Sequence, residues 1–208
     1  MNAEQNAESR TERQDLYFEM LAELDMTKHI GAIDATLRIA ELCHIGLDSR
    51  VLDVGCGVGY TPIYLARKFG CRIVGLDLYP TMVERARERV RHEGLQDQIE
   101  IQQGDMMDLP FPDGQFDVVM AESVVAFAPD KARALAEFAR VLKSDGYAGF
   151  TEATWNHEPS PELLARLPAI LGEHYETYTV EGWRARVEGA GFEDVTAETH
   201  PLNVRREA

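Results

Sequence analysis

Leu16, Tyr17, Met20, Leu21 and Leu24 recur at helical spacing, and Ile33, Leu37, Ile39, Ala40 and Leu42 do so again after Gly31. Two helices are expected before any strand. Further along, short apolar runs bounded by Gly, Asp or Pro predict six strands: Val51 to Val54, Arg72 to Leu76, Ile99 to Ile101, Phe116 to Met120, Tyr147 to Thr151 and Phe192 to Thr196. Helical stretches fall between them at about 62–69, 80–92, 131–142, 161–174 and 180–188. Pro80 and Pro161 suit a first helical turn, where the missing N–H has no partner to lose. Strands and helices in strict alternation make an α/β fold with a parallel sheet covered on both faces.

Residues 1–14 are polar, charged and almost free of large apolar groups, so burial cannot repay the entropy of ordering them. They read as a disordered tail ahead of a single domain over 15–208. The chain has 208 residues, 45% hydrophobic and 27% charged, which suits one soluble domain with a sizeable core. A formal charge of −15 with no basic run sets the chain against nucleic acid and anionic membranes. The N-terminus lacks the basic and apolar regions of a signal peptide, and no apolar run nears the roughly 20 residues that cross a bilayer. A cytoplasmic protein with no integral membrane segment is expected. Cys43, Cys56 and Cys71 are odd in number and show no C-x-x-C spacing, so they read as thiols without a zinc site, and no clustered ligand set calls for a metal.

In a doubly wound sheet, ligands bind at the carboxyl ends of the strands beside the topological switch point. The turn after the first strand reads Asp53-Val54-Gly55-Cys56-Gly57-Val58-Gly59-Tyr60. Its glycines allow a sharp turn and close backbone approach, and the following helix offers free N–H groups. Tyr60 stands where a dinucleotide fingerprint has its third glycine, and Asp53 is poor company for a pyrophosphate. A carboxylate there suits a ligand carrying an ammonium and a sulfonium. Asp77, at the end of the second strand, is either an ordinary strand-end aspartate or the acceptor of two ribose hydroxyls. Asp105 is either a loop cap or the partner of an exocyclic amine, with Met106 packing on a flat ring.

These three segments, with Gly104 to Val119 as the third, resemble the class I S-adenosylmethionine-dependent methyltransferases over roughly residues 27–200, nearest to the small-molecule branch of quinone and sterol methyltransferases. The resemblance implies a Rossmann-like sheet of six or seven strands with S-adenosyl-L-methionine as cofactor. It places Asp53, Gly55, Cys56, Gly57 and Gly59 around the methionine part, Asp77 on the ribose, Leu78, Asp105 and Met106 at the adenine, and Glu122 and Ser123 toward the methionine end and the acceptor. Thr27, Lys28, His29 and Gly31 resemble the stretch that closes over the cofactor. Residues 15–46 are then helices forming a cap, and 155–178 an inserted helical lid.

The chain also departs from its resemblance. Ala121-Glu122-Ser123-Val124 is not the Asn/Asp-Pro-Pro-aromatic motif of methyltransferases acting on base amines, and three scattered cysteines do not match arsenic methylation. Little sequence remains for an antiparallel seventh strand, so an exposed sheet edge is expected, covered either by another chain, as in a homodimer, or by a further C-terminal segment. A sulfonium methyl is already activated, so the enzyme's main task is in-line alignment and exclusion of water. Where the acceptor must lose a proton, Glu122, His157 and His29 are candidate bases, each with an ordinary structural role as the alternative. The reading is methyl transfer to a small organic or lipid-like acceptor. A nucleotide-dependent oxidoreductase and a non-catalytic S-adenosylmethionine-binding module are the alternatives.

Overall fold

The computed structural model describes residues 16, 18–24 and 31–200. The expected tail over 1–14, as well as Thr27, Lys28 and His29, lies outside the described residues. Residues 18–23 are helical, and α1 follows over Ala32–Leu42. The alternation then runs β1 (Arg50–Val54), α2 (Tyr60–Phe69), β2 (Arg72–Asp77), α3 (Pro80–His92), β3 (Ile99–Gln103), β4 (Phe116–Glu122), α4 (Lys131–Val141) and β5 (Leu142–Thr151). A short ribbon of β6 (Thr154–Trp155) and β7 (Tyr178–Thr179) frames the helices α5 (Pro161–Leu164) and α6 (Leu167–Leu171), and α7 (Val180–Gly189) comes last.

Local chemistry sets these boundaries. Pro80 lies in the first turn of α3, whose last turn carries Arg89, Arg91 and His92 against the negative end of the helix dipole. In α4 the Asp130 side chain caps the Arg133 N–H, while Ala134, Leu135, Phe138 and Val141 form the buried stripe. Gly70 closes α2 in the left-handed conformation.

The main sheet is parallel in the order β3-β2-β1-β4-β5. Alternation along each strand divides the core between two faces. Val51, Ile73, Val118 and Met120 pack with Ile39, Ile63 and Val83 on one face. Leu52, Val54, Val74, Val119 and Ala121 pack with Leu135, Phe138 and Val141 on the other. The chain adds β2 and β3 on one side of β1, then returns to add β4 and β5 on the other, which puts the switch point between β1 and β4.

Three expectations need correction. Among the described residues the main sheet has five strands, with two more in the separate ribbon, where six or seven together were expected. Phe192–Thr196 is not a strand: Asp194 is left-handed at φ 52°, the Val195 carbonyl is taken by the Arg184 guanidinium, and Phe192 packs edge-on against Phe150 instead of joining the sheet. The single helix expected over 161–174 is broken into α5 and α6, because Pro168 cannot donate to the preceding turn and starts a new one.

Candidate active site

Three positive-φ glycines build the turn after β1: Gly55 at 74°, Gly57 at 53° and Gly59 at 88°. The Gly55 and Cys56 N–H groups donate to the Leu76 carbonyl at 2.7 and 3.1 Å, which ties the turn to the end of β2. Asp77 completes the tie, its Oδ2 accepting from Gly57 N at 2.8 Å and its Oδ1 from Tyr79 N at 3.0 Å. Burial raises the Asp77 carboxyl from its ordinary value, and the Tyr79, Gly57 and Leu78 N–H groups pull it back. Each carboxylate oxygen has two acceptor sites, so Asp77 retains capacity for a ligand's hydroxyls.

Asp53 is 2% exposed, and its Oδ2 makes no hydrogen bond among the described residues. Burial raises its carboxyl well above the usual carboxylate range, and the neighbouring Glu122 and Asp77 charges add to the effect. An orphaned buried oxygen between two further carboxylates is costly unless a cation completes it. Glu122 ends β4 and accepts from Thr36 Oγ1 at 2.9 and 3.1 Å and from Thr61 Oγ1 at 3.1 Å, which joins α1 and α2 to the switch point. Ser123 follows at φ 58°, its N–H donating to the Thr151 carbonyl at 2.7 Å.

The far wall starts after β3. Asp105 Oδ1 accepts from Met107 N at 2.8 Å, so one oxygen serves as a loop cap. Met106 is partly buried against the second core face, while Leu78 is 53% exposed beside Asp77. Over the opposite side runs a line of rings: Tyr79 stacks on Phe18 at 4.8 Å, Phe18 meets Phe127 at 5.5 Å, and Phe127 meets Tyr175 at 5.0 Å. The N-terminal helical segment, the loop after β4 and the segment before β7 thus meet above one edge of the sheet.

Sequence reasoning missed two groups in this region. Glu152 follows β5, and its Oε1 accepts from three successive N–H groups, Val124 at 3.1 Å, Val125 at 2.7 Å and Ala126 at 3.3 Å. Lys131 is buried and donates to the Ala128 and His174 carbonyls at 2.9 and 3.1 Å. The signal for Glu152 was available, since an acidic residue just past a strand's carboxyl end is what singled out Asp77. His157 is exposed on the loop after β6, and Gly31, at φ 86°, turns the chain into α1.

The donor set fits S-adenosylmethionine: an orphaned buried carboxyl oxygen that a cationic group would complete, a glycine cradle at a helix start, and a strand-end carboxylate for hydroxyls. Residues 52–150 match the family described as a methyltransferase domain. The sarcosine/dimethylglycine N-methyltransferase of Halorhodospira halochloris is 36% identical over 163 residues, 78% of this chain and 58% of that protein. Methyltransferase GfsG of Streptomyces halstedii is 39% identical over 173 residues, 80% of this chain and 62% of that protein. The crystal structure of the cyclase SpnF has a TM-score of 0.67 at 29% identity, covering 75% of this chain and 55% of that one. The chain thus spans less than two thirds of either curated relative. With the glycine turn, the strand-end acids and the parallel sheet in this arrangement, the chain carries a match to a methyltransferase domain and is similar to the class I S-adenosylmethionine-dependent methyltransferases of the small-molecule type.

Proposed function

We propose that the protein transfers the methyl group of S-adenosylmethionine to a small organic or lipid-like acceptor by in-line displacement. The observation that carries this reading is the orphaned Asp53 oxygen beside a glycine turn that is itself tied to Asp77. When bound, the cofactor supplies a methyl group activated by a positive sulfonium. In this reading Asp53 faces the cationic methionine end, and Gly55, Cys56, Gly57 and Gly59 let the backbone approach it. Asp77 takes the ribose hydroxyls, Leu78, Asp105 and Met106 flank the adenine, and Glu122 and Ser123 border the passage to the acceptor. The residues' main work is alignment and exclusion of water, for which the rings of Phe18, Phe127 and Tyr175 are suited.

Residues 15–46 act as a cap and 155–178 as a lid, since both segments contribute rings above the carboxyl edge. The outer edge of β5 is the surface for a homodimer, β5 being an edge strand among the described residues. The acidic charge disfavours nucleic acid. No helix of the described residues is long and apolar enough to cross a membrane, in keeping with a cytoplasmic setting.

The test incubates the protein with methyl-labelled S-adenosylmethionine and a soluble-plus-lipid cell extract, and then partitions the mixture. Label in the organic or aqueous small-molecule fraction is the expected result. S-Adenosylhomocysteine raising the melting temperature while no fraction gains label would instead favour a non-catalytic binding role.

A further inference from the structure

We propose that Glu152 binds and deprotonates the acceptor, and that the acceptor is a small amine. The proposal rests on the methyl-transfer reading above and adds to it the acceptor class and the residue that receives the proton.

Placement comes first. Thr151, the last residue of β5, pairs in register with Glu122 and accepts from Ser123 N, so Glu152 stands one residue beyond the sheet's carboxyl edge, beside the loop that leaves β4. Three backbone N–H groups hold Oε1, while Oε2 makes no hydrogen bond among the described residues. One oxygen therefore fixes the carboxylate and the other is left for a ligand. The geometry is that of a pre-oriented group whose fixed oxygen needs no reorganisation during reaction.

The surroundings select the acceptor. The Tyr175 ring lies near Glu152 and packs on Phe127, giving an aromatic wall that suits an ammonium through cation–π attraction. Lys131, the nearby cation, is turned to the Ala128 and His174 carbonyls and lies 3.9 Å from Glu176, so it is not offered to an acidic acceptor. Along the same edge stand Asp53, Asp77 and Glu122. A phenol would have to become anionic against these carboxylates, whereas a neutral amine becomes positive as its nitrogen bonds carbon. The acidic edge opposes the first change and stabilises the second.

The step balances without a further reactant. An ammonium bound to Oε2 gives that oxygen one proton, and the freed nitrogen lone pair forms the N–C bond to the methyl group. The C–S bond breaks with its electron pair staying on sulfur, leaving a neutral thioether and a methylated ammonium. Glu152 then releases its proton to water. Burial pushes the Glu152 carboxyl up to about 7, while the three N–H groups and Lys131 pull it down. Lys131 on α4 and Tyr175 before β7 are the titratable groups that interact with it, and Lys131 is in turn faced by Glu176, Arg186 on α7 and Asp130.

The experiment uses the full chain with methyl-labelled S-adenosylmethionine, offering 2-(methylamino)ethanol and 2-(dimethylamino)ethanol in one arm and catechol and hydroquinone in the other. Glu152→Gln keeps an oxygen for the three N–H groups and removes the base. We expect label in an amine, a kcat for the variant lowered roughly a hundredfold or more, and an unchanged thermal shift by S-adenosylhomocysteine. A readout independent of turnover is the glutamate side-chain carbon NMR of the unliganded protein, with one carboxyl titrating near 7 and that titration lost in E152Q. Label confined to the phenols, or no labelled amine although S-adenosylhomocysteine binds, overturns the proposal, as does a variant with the parent rate. If S-adenosylhomocysteine does not bind, the methyl-transfer reading itself fails and takes this one with it.

Discussion

Gly55 lies at φ 74°, and a Cβ placed there would come within 2.6 Å of Val124 Cγ2 and 2.9 Å of Val124 Cβ. Gly55→Ala therefore strains the turn and pushes on the loop that Glu152 clamps. Left-handed strain with a displaced neighbour costs about 1–3 kcal/mol, which at roughly 2–4 °C per kcal/mol for a chain of this size lowers the melting temperature by roughly 2–12 °C. Thermal unfolding of the variant checks this. Asp77→Ala should weaken S-adenosylhomocysteine binding roughly ten- to a hundredfold by calorimetry, since charge-assisted hydrogen bonds contribute about 1.5–3 kcal/mol each; unchanged affinity would refute the placement of the ribose. The glycine turn and Asp77 were legible in the sequence because their meaning is local, a strand end followed by residues that tolerate positive φ. The position of Glu152 past a strand end was open to the same reading, but its three N–H partners, 26–28 residues away, and the partner of Thr36, 86 residues away, were not, because only the sheet order brings them together.

At the scale of elements, Arg140 joins α4 to the loop between β3 and β4. Its guanidinium donates to the Phe111 and Leu109 carbonyls at 2.7 and 3.0 Å, to Asp113 at 2.8 Å and to both oxygens of Glu137 at 2.7 and 2.6 Å, while Glu137 Oε2 accepts from Leu109 N. The outer Asp113 contact is exposed and contributes little, so the value lies in the carbonyls and Glu137. Arg140→Lys keeps the charge but cannot reproduce the planar fork. We expect a loss of about 1–2 kcal/mol in urea unfolding and weaker S-adenosylhomocysteine binding, because Asp105 and Met106 lead into the freed loop; a variant with parental affinity would detach that loop from the cofactor. Regular elements with a clear period were readable to within a residue or two, as α3 over Pro80–His92 illustrates. Phe192–Thr196 was not, because two apolar residues three apart, Phe192 and Val195, also describe a coil that pins one ring to the core. The break between α5 and α6 was visible in Pro168, which the apolar spacing around it obscured.

The whole molecule carries −15, and its least comfortable charges are gathered at one edge. A carboxyl whose folded pKa lies above its unfolded value stabilises the fold below the unfolded pKa, and that contribution is lost as pH rises through the folded one. For Glu152 the window runs from 4.5 to about 7, and Asp53 and Asp77 act in the same direction. Self-repulsion among the remaining carboxylates grows over part of the same range. The unliganded protein should therefore lose melting temperature between pH 5 and 8, as buffer-matched calorimetry would read. A cation at the edge reverses the effect, and S-adenosylmethionine carries at its sulfonium the positive charge that S-adenosylhomocysteine lacks. At equal, fixed ligand concentration the melting-temperature advantage of S-adenosylmethionine over S-adenosylhomocysteine should widen from pH 5 to pH 8. Each tenfold gain in relative affinity adds about 1.4 kcal/mol, or roughly 3–6 °C. An advantage that stays flat with pH would mean that the ionising carboxylates do not face the sulfonium, and the orphaned oxygen of Asp53 would then need another cation.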